Sequence, residues 1–163
     1  MKKKINIHLS SKEDYKNKYN ENILSYDLSN YILEETKGIS SNDKIEFTII
    51  CDFEIDDEEK NAIVDMIRNC FGTEVSEIIS SSKKQFIANF LIFFIGILFL
   101  LLYYVIEPKF ISELTLILGW VFIGEAICNF LYHGIENRNK IKRKKQIINA
   151  KIVFKSLKTS ITK

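Results

Sequence analysis

Residues 86–106 read FIANFLIFFIGILFLLLYYVI, and beyond Glu107, Pro108 and Lys109 a second apolar run occupies residues 111–133. At 1.5 Å per residue a helix of about 20 residues crosses the ~30 Å hydrocarbon core of a bilayer, so each run reads as a transmembrane helix. The second run contains Glu113, Glu125 and Asn129 but is otherwise dominated by Leu, Ile, Val, Phe, Trp, Ala and Gly. Only residues 107–110 separate the spans, which implies an antiparallel hairpin with a short extracytoplasmic loop and both termini on one side.

Basic residues near spans are retained in the cytoplasm. Lys83 and Lys84 precede the first span and Arg138, Lys140, Lys142, Arg143, Lys144 and Lys145 follow the second, against Lys109 alone in the loop. Both termini are therefore expected to be cytoplasmic. A cleaved signal peptide is not expected, because roughly 80 mostly polar residues precede the first apolar run. The abundance of Ile, Lys and Asn suits an AT-rich bacterial genome, so the expected location is a bacterial inner membrane, with the chain multi-pass.

Charge divides the 163 residues near Ser80. Residues 1–80 hold ten Lys and Arg against seventeen Asp and Glu, a net of −7, whereas residues 81–163 hold thirteen against four, a net of +9. The expected organisation is an acidic cytosolic domain over residues 1–80, a short linker over 81–85 and spans over 86–106 and 111–133 joined by the 107–110 loop. A basic tail over 134–163 follows and returns to the head if it supplies a strand. Ser80, Ser81 and Ser82 are the flexible part of the linker, too short to let the head travel far.

Within the head, Ile5, Ile7 and Leu9 alternate with polar residues, as do Ile45, Phe47, Ile49, Cys51 and Phe53, so each set reads as a strand with one buried face. Leu24, Leu28, Tyr31 and Ile32 mark an intervening helix with Gly38 as its C-cap. Ile63, Val64, Ile67 and Phe71 mark a second helix ending before Gly72. The fold class is α/β, a two-layer β-α-β-α cytosolic head with a parallel crossover and both helices on one face, carrying a two-helix transmembrane hairpin. A third strand comes either from residues 74–79 or from residues 150–157; the pattern does not separate them.

Glu125 and Asn129, one turn apart, are the conspicuous polar pair within the second span. An ionised carboxylate at depth costs a few kcal/mol or more unless it is paired, protonated or hydrated. Either Glu125 reaches the interface to pair with Lys83, Lys84 or Arg138, or it faces the centre of a homo-oligomer. Folding the hairpin about Pro108 to Lys109 sets Asn129 level with Asn89, predicting a hydrogen bond between them. Gly96, Gly119 and Gly124 offer close helix packing without GxxxG spacing.

Asp52, Glu54, Asp56, Asp57, Glu58 and Glu59 lie between the second strand and the following helix. Asp56 with Glu59 three residues later fits an N-cap with a favourable first-turn charge, and the remaining carboxylates offer a docking patch for the basic tail. The loop lacks the ligand pattern of an EF-hand, so neither metal nor cofactor is expected. The basic cluster is expected to orient the spans and to bind anionic lipid headgroups. Nucleic-acid binding is not expected of an acidic domain.

Catalysis is not expected either. His8 and Cys51 are assigned to opposite faces of the sheet, His133 lies at the membrane boundary, and no phosphate loop, nucleophile elbow or HExxH sequence occurs. The three cysteines lack a CxxC pair and read as reduced small hydrophobes. The expected function is a non-enzymatic sensing or interaction module for a cytosolic protein or small-molecule ligand, self-associating through the hairpin. The alternative is a membrane-perturbing effector of a bacterial antiviral or toxin system, in which ligand binding or clustering drives hairpins together.

Overall fold

The computed structural model describes residues 2–40 and 42–156, with the backbone alone at Ser156. The chain divides into two compact units, residues 1–75 with 141–163, and residues 76–140.

In the first unit, β1 (Lys2–Leu9), β4 (Lys44–Cys51) and β5 (Lys151–Ser156) form a three-stranded parallel sheet in the order β1-β4-β5. β2 (Lys16–Asn17) and β3 (Asn20–Leu24) form a small antiparallel hairpin after β1. In register, Phe47 lies between Ile5 and Ile152, and Ile49 between Ile7 and Phe154. The alternation of β1 and β4 thus places one odd-numbered row against the helices. Ile5, Ile7, Leu9, Ile45, Phe47, Ile49 and Cys51 share a core with Leu28 and Ile32 of α1 (Tyr26–Thr36) and Ile63, Ile67 and Phe71 of α2 (Asp57–Leu102). Ile147, near the end of α3 (Lys109–Ile148), completes that core. Burying a side chain of this size stabilises by about 1.5–3 kcal/mol, so these few positions dominate the small domain.

The third strand is β5, whereas residues 74–79 are helical; Leu157 lies outside the described residues. Strand pairing therefore joins the tail to the head. The crossover from β4 to β5 contains both long helices, a far longer connection than a β-α-β unit needs.

Several boundaries differ from those the sequence suggests. Leu24 ends β3, and α1 begins after Ser25, whose Oγ accepts from the Leu28 N–H at 3.3 Å. Lys37 is the C-cap, and no described glycine has positive φ, so Gly38 is no left-handed cap. α2 runs unbroken past Gly72 and through residues 81–85, which are helix rather than linker. One Gly costs a helix only about 0.5–1 kcal/mol, and the Ser81 and Ser82 hydroxyls donate to the Ile78 carbonyl at 3.0 and 2.7 Å, so neither feature stops it. The buried row Ile63, Ile67 and Phe71 continues to Val75.

In the second unit, parts of α2 and α3 form an antiparallel pair around Pro108, whose carbonyl accepts from the Ile111 and Ser112 N–H groups at 3.0 Å. Residues 103–106, expected within the first span, lie beyond the last residue of α2. Phe99 stacks on Phe122 with centroids 5.5 Å apart, and Phe86 meets Phe130 edge-on at 5.9 Å. Both helices are long and apolar enough to cross a membrane.

Phe47→Ala, in the central strand, is expected to destabilise the head by about 3–5 kcal/mol. Urea titration of the full chain in detergent, followed by protease resistance of residues 2–75, measures the loss.

Candidate functional site

The carboxyl ends of the parallel strands carry the strongest candidate. Lys12 follows β1; Glu54, Ile55 and Asp56 follow β4; Glu59 and Lys60 open α2; Phe154 and Lys155 end β5. Together they line a cleft of about 510 Å³. This is the end of an open parallel sheet at which ligands bind, because loops there converge on strand ends and helix N-termini. Lys12 pairs with Glu59, and Lys60 Nζ with Asp57 Oδ1 at 2.7 Å. Asp56 caps α2: its Oδ1 accepts from the Glu59 N–H at 2.7 Å and its carbonyl from the Lys60 N–H at 3.1 Å. The walls therefore offer cations, carboxylates and an apolar pair, Ile55 and Phe154, suited to a polar ligand with some hydrophobic surface.

The loop after β1 borders the same cleft through Lys12 and is folded around Asp14. The Ser11 N–H donates to Asp14 Oδ2 at 2.9 Å, the Ser10 N–H to the same oxygen at 2.6 Å, and Ser11 Oγ to Oδ1 at 3.2 Å. These bonds, led by that from the Ser11 backbone, hold the Asp14 carboxyl below its ordinary range. Ser25 Oγ donates to the Asp14 carbonyl at 2.6 Å, and Tyr15 is buried in the core. Sequence periodicity missed this segment, because β2 and β3 are too short and polar to alternate; the signal present was Asp14 three residues after Ser11.

The pairings of Lys140, Arg143 and Lys144 lie away from the acidic run, whereas Lys155 of the tail lines the cleft beside Glu54, Asp56 and Glu59. Arg143 Nη2 donates to the Lys37 carbonyl at 3.3 Å, Lys144 pairs with Glu74, and Lys140 Nζ lies 2.7 Å from Glu136 Oε1. Asp52 instead meets His8 Nε2 at 3.3 Å on the sheet face opposite the core. Glu58 is exposed in the first turn of α2, and Lys83, Lys84, Arg138, Lys142 and Lys145 are exposed on the helices. His8 is across the sheet from buried Cys51, whose thiol is pushed up by burial. Among the described residues no group of three or more His, Cys, Asp or Glu is placed to hold a metal ion.

In the helical unit, Asn129 Nδ2 donates to Glu125 Oε1 at 2.9 Å on the same helix, so its partner is Glu125 rather than Asn89. Asn89 lies in a groove of about 260 Å³ with Phe90, Ala126 and Phe130. Gly96 and Gly119 sit at the helix crossing: a Cβ on Gly96 would lie 3.0 Å from the Gly119 carbonyl oxygen, and one on Gly119 would lie 2.6 Å from Leu100 Cδ2. Gly124 has nothing within 4 Å of such a Cβ and belongs to the outer surface.

Gly119→Val is expected to lower the thermal midpoint of helicity in detergent, overpacking a contact by about 1–3 kcal/mol. The pH dependence of Asp14 has a definite sign. Its depressed native pKa adds stability that is in place above the unfolded value of about 4 and is lost as pH falls through the native value. Urea midpoints compared between pH 6 and pH 3 should fall less in Asp14→Asn than in the parent chain.

No protein-family model, curated protein or solved structure matches this chain.

Proposed function

We infer that the chain is a two-span membrane protein whose small parallel-sheet domain is a non-enzymatic sensing or interaction module on the cytoplasmic side of a bacterial inner membrane. The observation that carries this reading is the bareness of the apolar helices. Only 6% and 17% of their most apolar windows are buried, the opposite of what a soluble core helix needs. Phe90, Phe94, Leu98, Ile117, Val121 and Leu131 are all exposed along them, apolar surface of a kind that soluble monomers rarely present. A bilayer is the solvent that fits it.

The pairing of β5 with β4 supports a common side for both flanks. The segments before α2 and after α3 belong to one sheet, so a chain that leaves through one span must return through the other. The Lys and Arg near both flanks favour the cytoplasm as that side and provide contacts for anionic headgroups. The cleft at the strand ends is the proposed seat of a cytosolic protein or small-molecule ligand, and the hairpin supplies location and self-association.

The hydrogen-bonded Glu125 and Asn129 on the helix surface favour the second reading, a membrane-perturbing effector. Two measurements on the intact chain test the choice. An introduced Glu107→Cys should react with an impermeant maleimide added outside the cells, while Lys142→Cys should react only after permeabilisation. Expression should leave a voltage-sensitive dye unchanged; depolarisation that Glu125→Leu abolishes would replace the tethered module with the effector.

A further inference from the structure

We propose that two copies of this chain pair through the outer face of α3 as a parallel, left-handed coiled coil within the membrane, with Trp120 of each copy donating its indole N–H to Glu125 of the other. The inference rests on the two-span reading and names the surface through which the hairpins associate.

The face is defined by spacing. Ile117, Val121, Gly124, Cys128, Leu131 and Ile135 recur at alternating intervals of four and three residues, the a and d pattern that keeps one seam facing a partner helix. All six are exposed, four of them by more than half, so α2 does not occupy this seam. α2 covers another side of α3, marked by buried Ser112, Thr115 and Ala126 and by the close contact at Gly119. The smallest seam residues, Gly124 and Cys128, are consecutive near its middle, where Gly124 leaves open space for a second backbone.

Burial of apolar surface does not drive association between helices in lipid; packing and hydrogen bonds do. Two polar groups flank the seam at the positions such a pair uses. With Val121 at a, Trp120 is g and Glu125 is e, and in a parallel pair the g residue of one helix lies beside the e residue five positions later on the other. The Trp120 indole can only donate, and among the described residues it has no acceptor; it is 65% exposed. The Glu125 carboxylate can only accept when ionised, and Asn129 supplies one donor to one of its two oxygens. A two-fold axis between the helices meets both needs twice. Copies inserted with the same topology present α3 in the same direction, so the parallel arrangement follows.

The seam contains its own reporter. Cys128 at an a position faces Cys128 of the second copy, whereas Cys51 is buried and Cys70 half-buried in the other unit. Copper-phenanthroline oxidation of the full chain in isolated membranes should yield a disulfide-linked dimer that Cys128→Ser abolishes. In that background Val121→Cys should restore the dimer and Ala126→Cys should not. Trp120→Phe and Glu125→Leu should each weaken dimerisation roughly tenfold, and the double variant no more than either alone, since each change removes the same two bonds. A membrane-bound chain that gives no Cys128 dimer, or one that crosslinks equally through position 126, overturns the interface and leaves the two-span reading standing. Recovery of the chain in the carbonate-soluble fraction overturns both.

Discussion

Pairing between β4 and β5 is the constraint on which the rest of the architecture depends. β4 is the central strand, and its two neighbours come from opposite ends of the described chain. A parallel neighbour must enter from the same end of the sheet, so everything between Cys51 and Lys151 has to depart from one end and come back to the other. Two long helices joined by a short turn at Pro108 accomplish that return. The same requirement accounts for Ile147 in the core and for Gln146 Nε2 donating to the Ser40 carbonyl at 2.9 Å, contacts that hold the last turns of α3 within the first unit.

The two units hold together by different physics. The first follows aqueous rules: an alternating sheet buries one face beneath amphipathic helices, and its polar groups pair locally, as Thr36 does with the Ile32 carbonyl at 3.0 Å. The second buries little apolar area. It relies on close backbone approach at Gly96 and Gly119 and on aromatic contact between Phe99 and Phe122.

Much of the α/β plan was legible because β1, β4 and both amphipathic faces have clean periods. Ile5, Ile7 and Leu9 and the row from Ile45 to Cys51 identify their own buried sides. The limits lay where a local signal was outweighed. Gly72 and the three serines suggested breaks, but flanking helix strength and back-bonded hydroxyls carried α2 through them. Leu24 has the spacing of the following helix, yet the Ser25 cap excludes it. The third strand was ambiguous because Ile152 and Phe154 suit either geometry until β4 offers an edge. Likewise, the cleft was hidden: Lys12, Asp56 and Lys155 are far apart in sequence and converge only through the register of three strands.

The late position of β5 also dictates an order of events during synthesis. Lys151 pairs opposite Glu46, so the central strand of the head waits for roughly a hundred further residues before its second edge is covered. Both apolar helices emerge from the ribosome in that interval. A nascent head therefore holds an open β4 edge until β5 has been made and the second helix has brought the chain back to the sheet.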